Sequence, residues 1–412
     1  MKVLFVNNNI IGEQSATGNM MLNLFSGMDD IEILQYILHS NVFSIKSLFS
    51  NVGILEHNDF GCLERLSVSL EERSKKRKGA KKILLYVKRA LAFLNEIYVC
   101  QISHETCARI KEFAPDLIYT LGSDVRVMRT CIRLSQMFDV PIVMHSMDDF
   151  YNFKYVDSGL LNRLGRKKLV DCYQTIYSNS KCGLAIGPKM AEEYSTTFKI
   201  PFFWAMNCVT DSASLPSYHP KDKIELIIFS GGLHGGRAET LEKIAKVIED
   251  MDLKMEIYTS PKDLVNYTPL FSTFKNTRLL EYVERSKMFD NLSRADVLLH
   301  VESYYSRYTS YFRLSMSTKI PEYMSVCRPI LCVGPSGIAT VDFIQERKFG
   351  LVVNDINRFG DSLRKLEKTD LRVALVNNSK EVLSKEFFRS QMQNKLIQSF
   401  RCNINYSKNT KQ

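Results

Sequence analysis

The stretch Ser315-Met316-Ser317-Thr318-Lys319-Ile320-Pro321-Glu322-Tyr323-Met324-Ser325-Val326-Cys327-Arg328-Pro329-Ile330 is the place to begin. Hydroxyl residues stand before a first turn that contains Pro321, the pattern of a helix N-terminus. Backbone N–H groups at such a terminus, with Lys319 close by, suit a phosphate, and Ser317 and Thr318 belong to the same turn. Glu322 falls about a turn further on, where a carboxylate can accept two hydrogen bonds from a ribose diol. The apolar strand Ile330 to Val333 follows directly. On spacing alone, a capped helix carrying an exposed Lys and Glu fits equally well.

Outward from this segment the chain alternates apolar runs with helical patterns. Strands are expected at Lys2 to Val6, Ile31 to Leu38, Asp116 to Thr120, Pro141 to His145, Gly183 to Ile186 and Phe202 to Ala205. A polar stretch from Asp211 to Lys223, with Pro216 and Pro220, breaks the rhythm and marks a domain boundary. The alternation then restarts at Ile224 to Phe229 and continues through Met255 to Thr259, Ala295 to His300, Ile330 to Val333 and Gly350 to Val353. Continuous apolar strands between helices indicate parallel sheets covered on both faces. The expected class is α/β, with two Rossmann-like domains facing a central cleft. Residues 1–210 would form the first domain and 211–385 the second, with a terminal helix about 385–412 packing back on the first.

Bulk properties narrow the function classes. With 412 residues, 45% hydrophobic and 24% charged, the chain suits two globular domains and not a disordered segment. Its apolar runs fall far below the ~20 residues of a membrane span. Lys2 to Val6 followed by Asn7-Asn8-Asn9 reads as a strand and loop, and not as a signal peptide. The ten cysteines form no Cys-x-x-Cys pair and the seven histidines are isolated, so free thiols and no metal site are expected. A cytoplasmic protein follows from these expectations.

The net charge of +10 is partly local: nine Lys/Arg and no acid lie between Arg73 and Arg89. From Lys75 onward Ala80, Leu84, Val87, Leu91 and Leu94 are spaced for one helical face. Residues 73–94 therefore fit a helix lying on the anionic inner face of a membrane, or a charged helix packed on its own domain. No aromatic stacking pattern accompanies the charge, which argues against nucleic acid.

Other residues carry chemistry of their own. Ser230-Gly231-Gly232-Leu233-His234-Gly235-Gly236-Arg237 is a Gly-rich strand-to-helix loop. Its glycines, Gly232 among them, let backbone approach a phosphate, and Arg237 would neutralise the charge. His234 reads as a plain loop residue. His145 stands at a strand end followed by Ser146, Asp148 and Asp149, where sugar-hydroxyl binding or proton handling fits. A lone histidine fits a structural place as well. Asp124 is a weaker rim candidate.

The segment from Ser317 to Leu331 resembles the donor-site run of family 4-like glycosyltransferases of GT-B type, in which "K-x-x-E-Y-M-A-x-G-x-P-I" is common. Ser293-Arg294-Ala295-Asp296-Val297-Leu298-Leu299 is similar to the family's "ADV" strand entry. Phe229-Ser230-Gly231-Gly232-Leu233, Asn207-Cys208-Val209-Thr210-Asp211 and Pro115-Asp116-Leu117-Ile118-Tyr119 extend the likeness from about Lys2 to about Asn354. The resemblance implies a nucleoside-diphosphate sugar donor, a saccharide or lipid-linked acceptor, retention of configuration, no cofactor and no required metal. It implies diphosphate contacts from Arg237 and Lys319, a base contact at Tyr282 and Val283, a diphosphate or acceptor contact near Gly18, and His145 near the transferred sugar. Tyr282 and Val283 fit a core as well. The chain departs from the family at one point: many members carry a glutamate eight positions before Glu322, where Leu314 stands. Glu302 is the one candidate to replace it.

Two rivals share these residues. A GT-B-like sugar-nucleotide epimerase needs the same donor site and no acceptor. A non-catalytic, membrane-docked subunit of a polysaccharide assembly complex is consistent with the missing glutamate. A dehydrogenase is disfavoured, because no Gly-x-Gly-x-x-Gly follows the first strand.

Overall fold

The structure is a computed structural model that describes residues 1–12, 15–38, 52–56, 90–91, 93–94, 97, 101–211 and 215–409. The chain divides into two units. One comprises Met1–Ala205 with Asn394–Gln412, the other Met206–Gln393. The polar stretch that begins at Asp211 lies inside the second unit. Most of the basic segment 73–94 lies outside the described residues.

The first unit is built on seven strands: β1 (Lys2–Asn7), β2 (Glu32–Ile37), β3 (Val52–Glu56), β4 (Leu117–Thr120), β5 (Ile142–Ser146), β6 (Gly183–Ala185) and β7 (Phe202–Trp204). They form one parallel sheet in the order β3-β2-β1-β4-β5-β6-β7. Val3 to Val6 of β1 have no exposure, because apolar side chains leave both faces of a central strand and helices cover each. The helix Arg389–Asn409 contributes its later turns to this unit. There Asn403 Nδ2 donates to Cys182 O (3.1 Å), and its Oδ1 accepts from Lys181 N (2.8 Å). Phe400 meets Tyr119 edge-on at 5.6 Å.

The second unit has six strands: β8 (Leu226–Ser230), β9 (Lys254–Thr259), β10 (Thr277–Glu281), β11 (Val297–Val301), β12 (Ile330–Val333) and β13 (Leu351–Val353). Their parallel order is β10-β9-β8-β11-β12-β13. One core runs from Ile227 and Phe229 through Leu241, Ile244 and Ile248 of the helix Arg237–Asp250 to Leu299 and Val333. Strand order reverses between β8 and β11, the point at which ligands of open α/β sheets generally bind, beyond the carboxyl ends of the strands. Asp296 ties the opposite, amino ends: its Oδ2 accepts from Glu225 N (2.9 Å) and Leu226 N (3.0 Å).

Two glycines in the loop after β8 have backbones that only glycine adopts without strain. Gly235 and Gly236 sit at φ +70° and +81°, and a Cβ on Gly236 would fall 2.2 Å from Ser303 Oγ. The loop can therefore turn tightly into its helix and lie against the residues after β11.

Candidate functional site

Four segments meet at the carboxyl ends of β8, β10 and β11. They are the Gly-rich loop, the residues after β10, the residues after β11 and the segment Ser317 to Glu322. Tyr323 explains why the last of these is held there. Its buried hydroxyl accepts from Ser230 N at 2.8 Å and donates to Leu299 O at 3.2 Å, so one side chain bridges β8 and β11. Burial raises that phenol far above its usual range, which keeps it neutral and able to do both.

The helix that carries Glu322 is short, Ile320–Ser325. Its preceding turn is already occupied. Ser317 N donates to Thr340 Oγ1 (2.9 Å), Lys319 N to Ser317 Oγ (3.4 Å) and Ile320 N to Ser317 O (3.2 Å). The expectation of a cluster of open N–H groups is corrected to that extent, because Thr340 takes one of these donors and Ser317 takes two. The side chains are better placed. Asn207 Nδ2 donates to Thr318 O (2.7 Å) and to Glu322 Oε1 (3.2 Å), which orients the carboxylate. Lys319 Nζ lies 3.7 Å from Glu322 Oε2 and 5.2 Å from the centre of the Tyr282 ring.

Tyr282 extends β10 by donating its N–H to Thr259 O (2.9 Å). Burial is the main reason its phenol is raised; Asp263 and Glu322 add to this and Arg237 opposes it, so these side chains share one local field. Val283, next along, is 39% exposed, which removes it from the core.

Arg237 opens the helix after the Gly-rich loop. Its Nε donates to Val301 O (3.1 Å) and its Nη2 to Glu302 Oε2 (2.8 Å), while the guanidinium lies 4.8 Å from the Phe312 ring centre. The other oxygen of Glu302 is 3.1 Å from His300 Nε2. Burial by itself would raise the Glu302 carboxyl, but the Arg237 charge and the bond to His300 outweigh it and hold the carboxyl down at about 2. Both oxygens of Glu302 are thus occupied, and the acid braces Arg237 instead of standing free in place of the missing glutamate. Leu314 at that position is fully buried.

The loop is fixed by Asp263, whose Oδ2 accepts from Leu233 N (2.9 Å) and Thr259 Oγ1 (3.3 Å). Gly232 lies in this fixed portion, where a Cβ would strike the exposed His234 ring at 2.6 Å. Asn207, Asp263 and Tyr323 are the positioning residues that composition and spacing did not single out. Each is an ordinary polar residue whose meaning comes from contacts distant in sequence.

The first unit corrects three expectations. His145 has no exposure: Nδ1 accepts from Tyr119 OH at 2.7 Å, so Nε2 carries the proton and donates to Ala205 O at 2.8 Å. Burial lowers its pKa to about 4, against the opposing pull of the Ala205 and Ala185 carbonyls. A neutral ring with both nitrogens engaged is a structural bridge between β5 and the end of β7, and His145 leaves the catalytic set. Gly18, expected near the diphosphate or acceptor, lies in the first turn of the helix Ala16–Phe25 with both backbone groups engaged: its N–H donates to the Ser15 cap (2.9 Å) and its carbonyl accepts from Gly12 N (3.0 Å). Asp124 caps the helix Val125–Phe138, accepting from Val127 N (2.8 Å), which accounts for it without a ligand.

Among the described residues no group of three or more His, Cys, Asp and Glu could hold a metal ion, and no helix is long and apolar enough to cross a membrane.

No family model matches this sequence, and no curated protein sequence matches it. Solved structures do match in fold. A UDP-forming alpha,alpha-trehalose-phosphate synthase from Burkholderia vietnamiensis superposes with a TM-score of 0.62 at 12% identity, over 98% of this chain and 99% of that one. A glycosyltransferase from Rickettsia africae does so at 0.61 and 9% identity, over 98% of both chains. A mutant of S. aureus TarM, solved with Fondaparinux, alpha-GlcNAc-glycerol and UDP, gives 0.58 at 11% identity, over 97% of this chain and 99% of that one. The chain thus has the fold of the GT-B glycosyltransferases, two parallel-sheet α/β domains.

Proposed function

We propose that the protein is a glycosyltransferase that takes a sugar from a nucleoside-diphosphate donor and passes it to a saccharide or lipid-linked saccharide. The observation that carries this reading is the gathering of Arg237, Lys319, Glu322 and Tyr282 at the carboxyl-end side of the second sheet. Two cations beside a carboxylate and an aromatic ring match a phosphorylated nucleoside: charge for the diphosphate, acceptor oxygens for the ribose, and a flat apolar face for the base. The fold's relatives support the assignment, and one of them was solved with UDP.

In this reading catalysis comes from stabilising the departing diphosphate. As the glycosidic bond breaks, negative charge grows on the leaving oxygen, and fixed cations there cost no reorganisation. Arg237 is pre-oriented by Val301 O and Glu302, and Lys319 by Glu322. Glu322, held by Asn207, exchanges its loose contact with Lys319 for the ribose hydroxyls. From the resemblance we carry over a family 4-like member and retention of configuration; to these we add a hexosyl or related sugar, surface-polysaccharide synthesis, and the cytoplasmic place expected from the bulk properties. Val283 would edge the base site, and Ser317 and Thr318 would shape the turn at the phosphates.

The test is a panel of nucleotide sugars offered with and without saccharide acceptors, with nucleoside diphosphate release as the signal. Release that depends on an acceptor supports transfer. Interconversion of donors without an acceptor would replace transfer by epimerisation.

A further inference from the structure

The first unit carries a surface feature that is separate from the proposed donor site. Large apolar side chains exposed to solvent are few among the described residues, and three of them fall within six positions. Val156 is 57% exposed, Leu160 82% and Leu161 41%. They flank Gly159, which sits at φ +139° just before the helix Leu160–Ser178. Tyr155, also at positive φ (+61°), packs edge-on against Phe93 at 5.4 Å and anchors the base of this loop.

The charge behind the tip has one sign in excess. Arg163 and Lys167 are exposed and follow Leu160 by three and seven positions, so all three share one helix face. Arg166 sits beside them, 5.3 Å above the Tyr151 ring. These cations and Val156 line an open cavity of about 620 Å³ whose one acid is Asp157. Along a helix rising about 1.5 Å per residue, Lys167 stands roughly 10 Å behind Leu160. An apolar tip inserted about 5–10 Å into a bilayer surface would place the cations among the headgroups.

We propose that the loop 155–159 and the first two turns of the helix Leu160–Ser178 form a docking tip for an anionic phospholipid surface. A protein partner is the poorer fit, because three side chains cannot supply the roughly 800 Å² per side of a standard interface. A membrane asks for less: shallow insertion of a few apolar groups, with lysine and arginine attracted by the surface charge.

The full-length chain is mixed with vesicles of phosphatidylcholine alone or with phosphatidylglycerol, and the bound fraction is measured by sedimentation. Wild-type protein should bind the anionic vesicles at low salt and leave them as salt shortens the screening length. The pair Arg163→Ser and Lys167→Ser should weaken partitioning by about thirtyfold, and the pair Leu160→Ser and Leu161→Ser by at least about tenfold. Leu160→Trp should shift its emission to the blue on anionic vesicles, read against the chain's one native tryptophan, Trp204. All four positions are exposed or half-exposed to solvent, so the substitutions leave the fold intact, which thermal unfolding verifies. Wild-type protein that ignores anionic vesicles overturns the proposal. So does unchanged binding by both double variants when Lys75→Ser, Lys76→Ser, Arg77→Ser and Lys78→Ser together abolish it. A Leu160-dependent dimer that ignores vesicles overturns it in favour of a second copy.

Discussion

Arg237 and Glu302 face each other across the gap between a loop after β8 and the end of β11, with Nη2 2.8 Å from Oε2. Arg237 begins the helix that follows β8 and Glu302 comes directly after β11, so the pair holds a cation at the carboxyl ends of the two central strands of the second sheet. The Glu302 side chain is 4% exposed and that of Arg237 16%, so the pair is poorly hydrated and each partner depends on the other.

Replacing Glu302 by Gln should therefore cost stability, on the order of 3 kcal/mol at neutral pH. The pH dependence follows from the depressed carboxyl, about 2 in place of 4.5. A depressed acid stabilises fully above its unfolded pKa and loses that contribution as pH falls through its folded value. The gap between wild type and Glu302→Gln should stay constant above pH 4.5 and close toward pH 2, as read by chemical denaturation. A gap that changes between pH 6 and 8 would point to another group.

The proposed donor site makes a binding prediction. Glu322→Ala and Lys319→Ala should each lose a charge-assisted contact with nucleotide, roughly 1.5–3 kcal/mol or about ten- to hundredfold in affinity. Asn207→Ala should act in the same direction through Glu322, and more weakly. Titration of the folded variants is the check.

His145 makes the opposite prediction. Its ring is neutral and walled in, so His145→Phe should spare nucleotide affinity while removing a pH dependence of stability. A base whose folded pKa is lowered to about 4 from 6.5 binds its proton in the unfolded chain first. Wild-type stability should then fall as pH drops from about 6.5 to 4, by on the order of 3 kcal/mol, and the variant's slope should be flatter. The variant should also be less stable at pH 7, since Tyr119 OH and Ala205 O lose their partner.

Gly236→Ala tests the loop. Its Cβ would enter Ser303 and its φ of +81° disfavours any side chain, so the loop must shift and carry Arg237 with it. Nucleotide affinity should drop more than thermal stability, as measured by titration and melting of the same preparation.

Much of the fold was legible because parallel strands announce themselves. Ile330 to Val333 and Leu117 to Thr120 are continuous apolar runs that need no partner to be recognised. β3 escaped notice, since Val52–Glu56 is short and holds a glycine and an acid. The candidate site was legible only in its local part: Lys319, Glu322 and Arg237 stand in motifs that the sequence alone brings forward, and the structure places their side chains in one neighbourhood. His145 shows where that stops. A histidine at a strand end looks alike whether it faces a ligand or the core, and only Tyr119 and Ala205, distant in sequence, decide it. The bracing of Arg237 by Glu302 is hidden for the same reason, because 65 residues separate the partners.

The most direct measurement is calorimetric titration of the full chain with nucleoside diphosphates, repeated on Glu322→Ala and His145→Phe. Saturable binding of at least one diphosphate is expected, weakened about ten- to hundredfold by Glu322→Ala and left intact by His145→Phe. Wild-type protein that binds none of them, or a folded Glu322→Ala that binds as tightly as wild type, would contradict the proposed donor site.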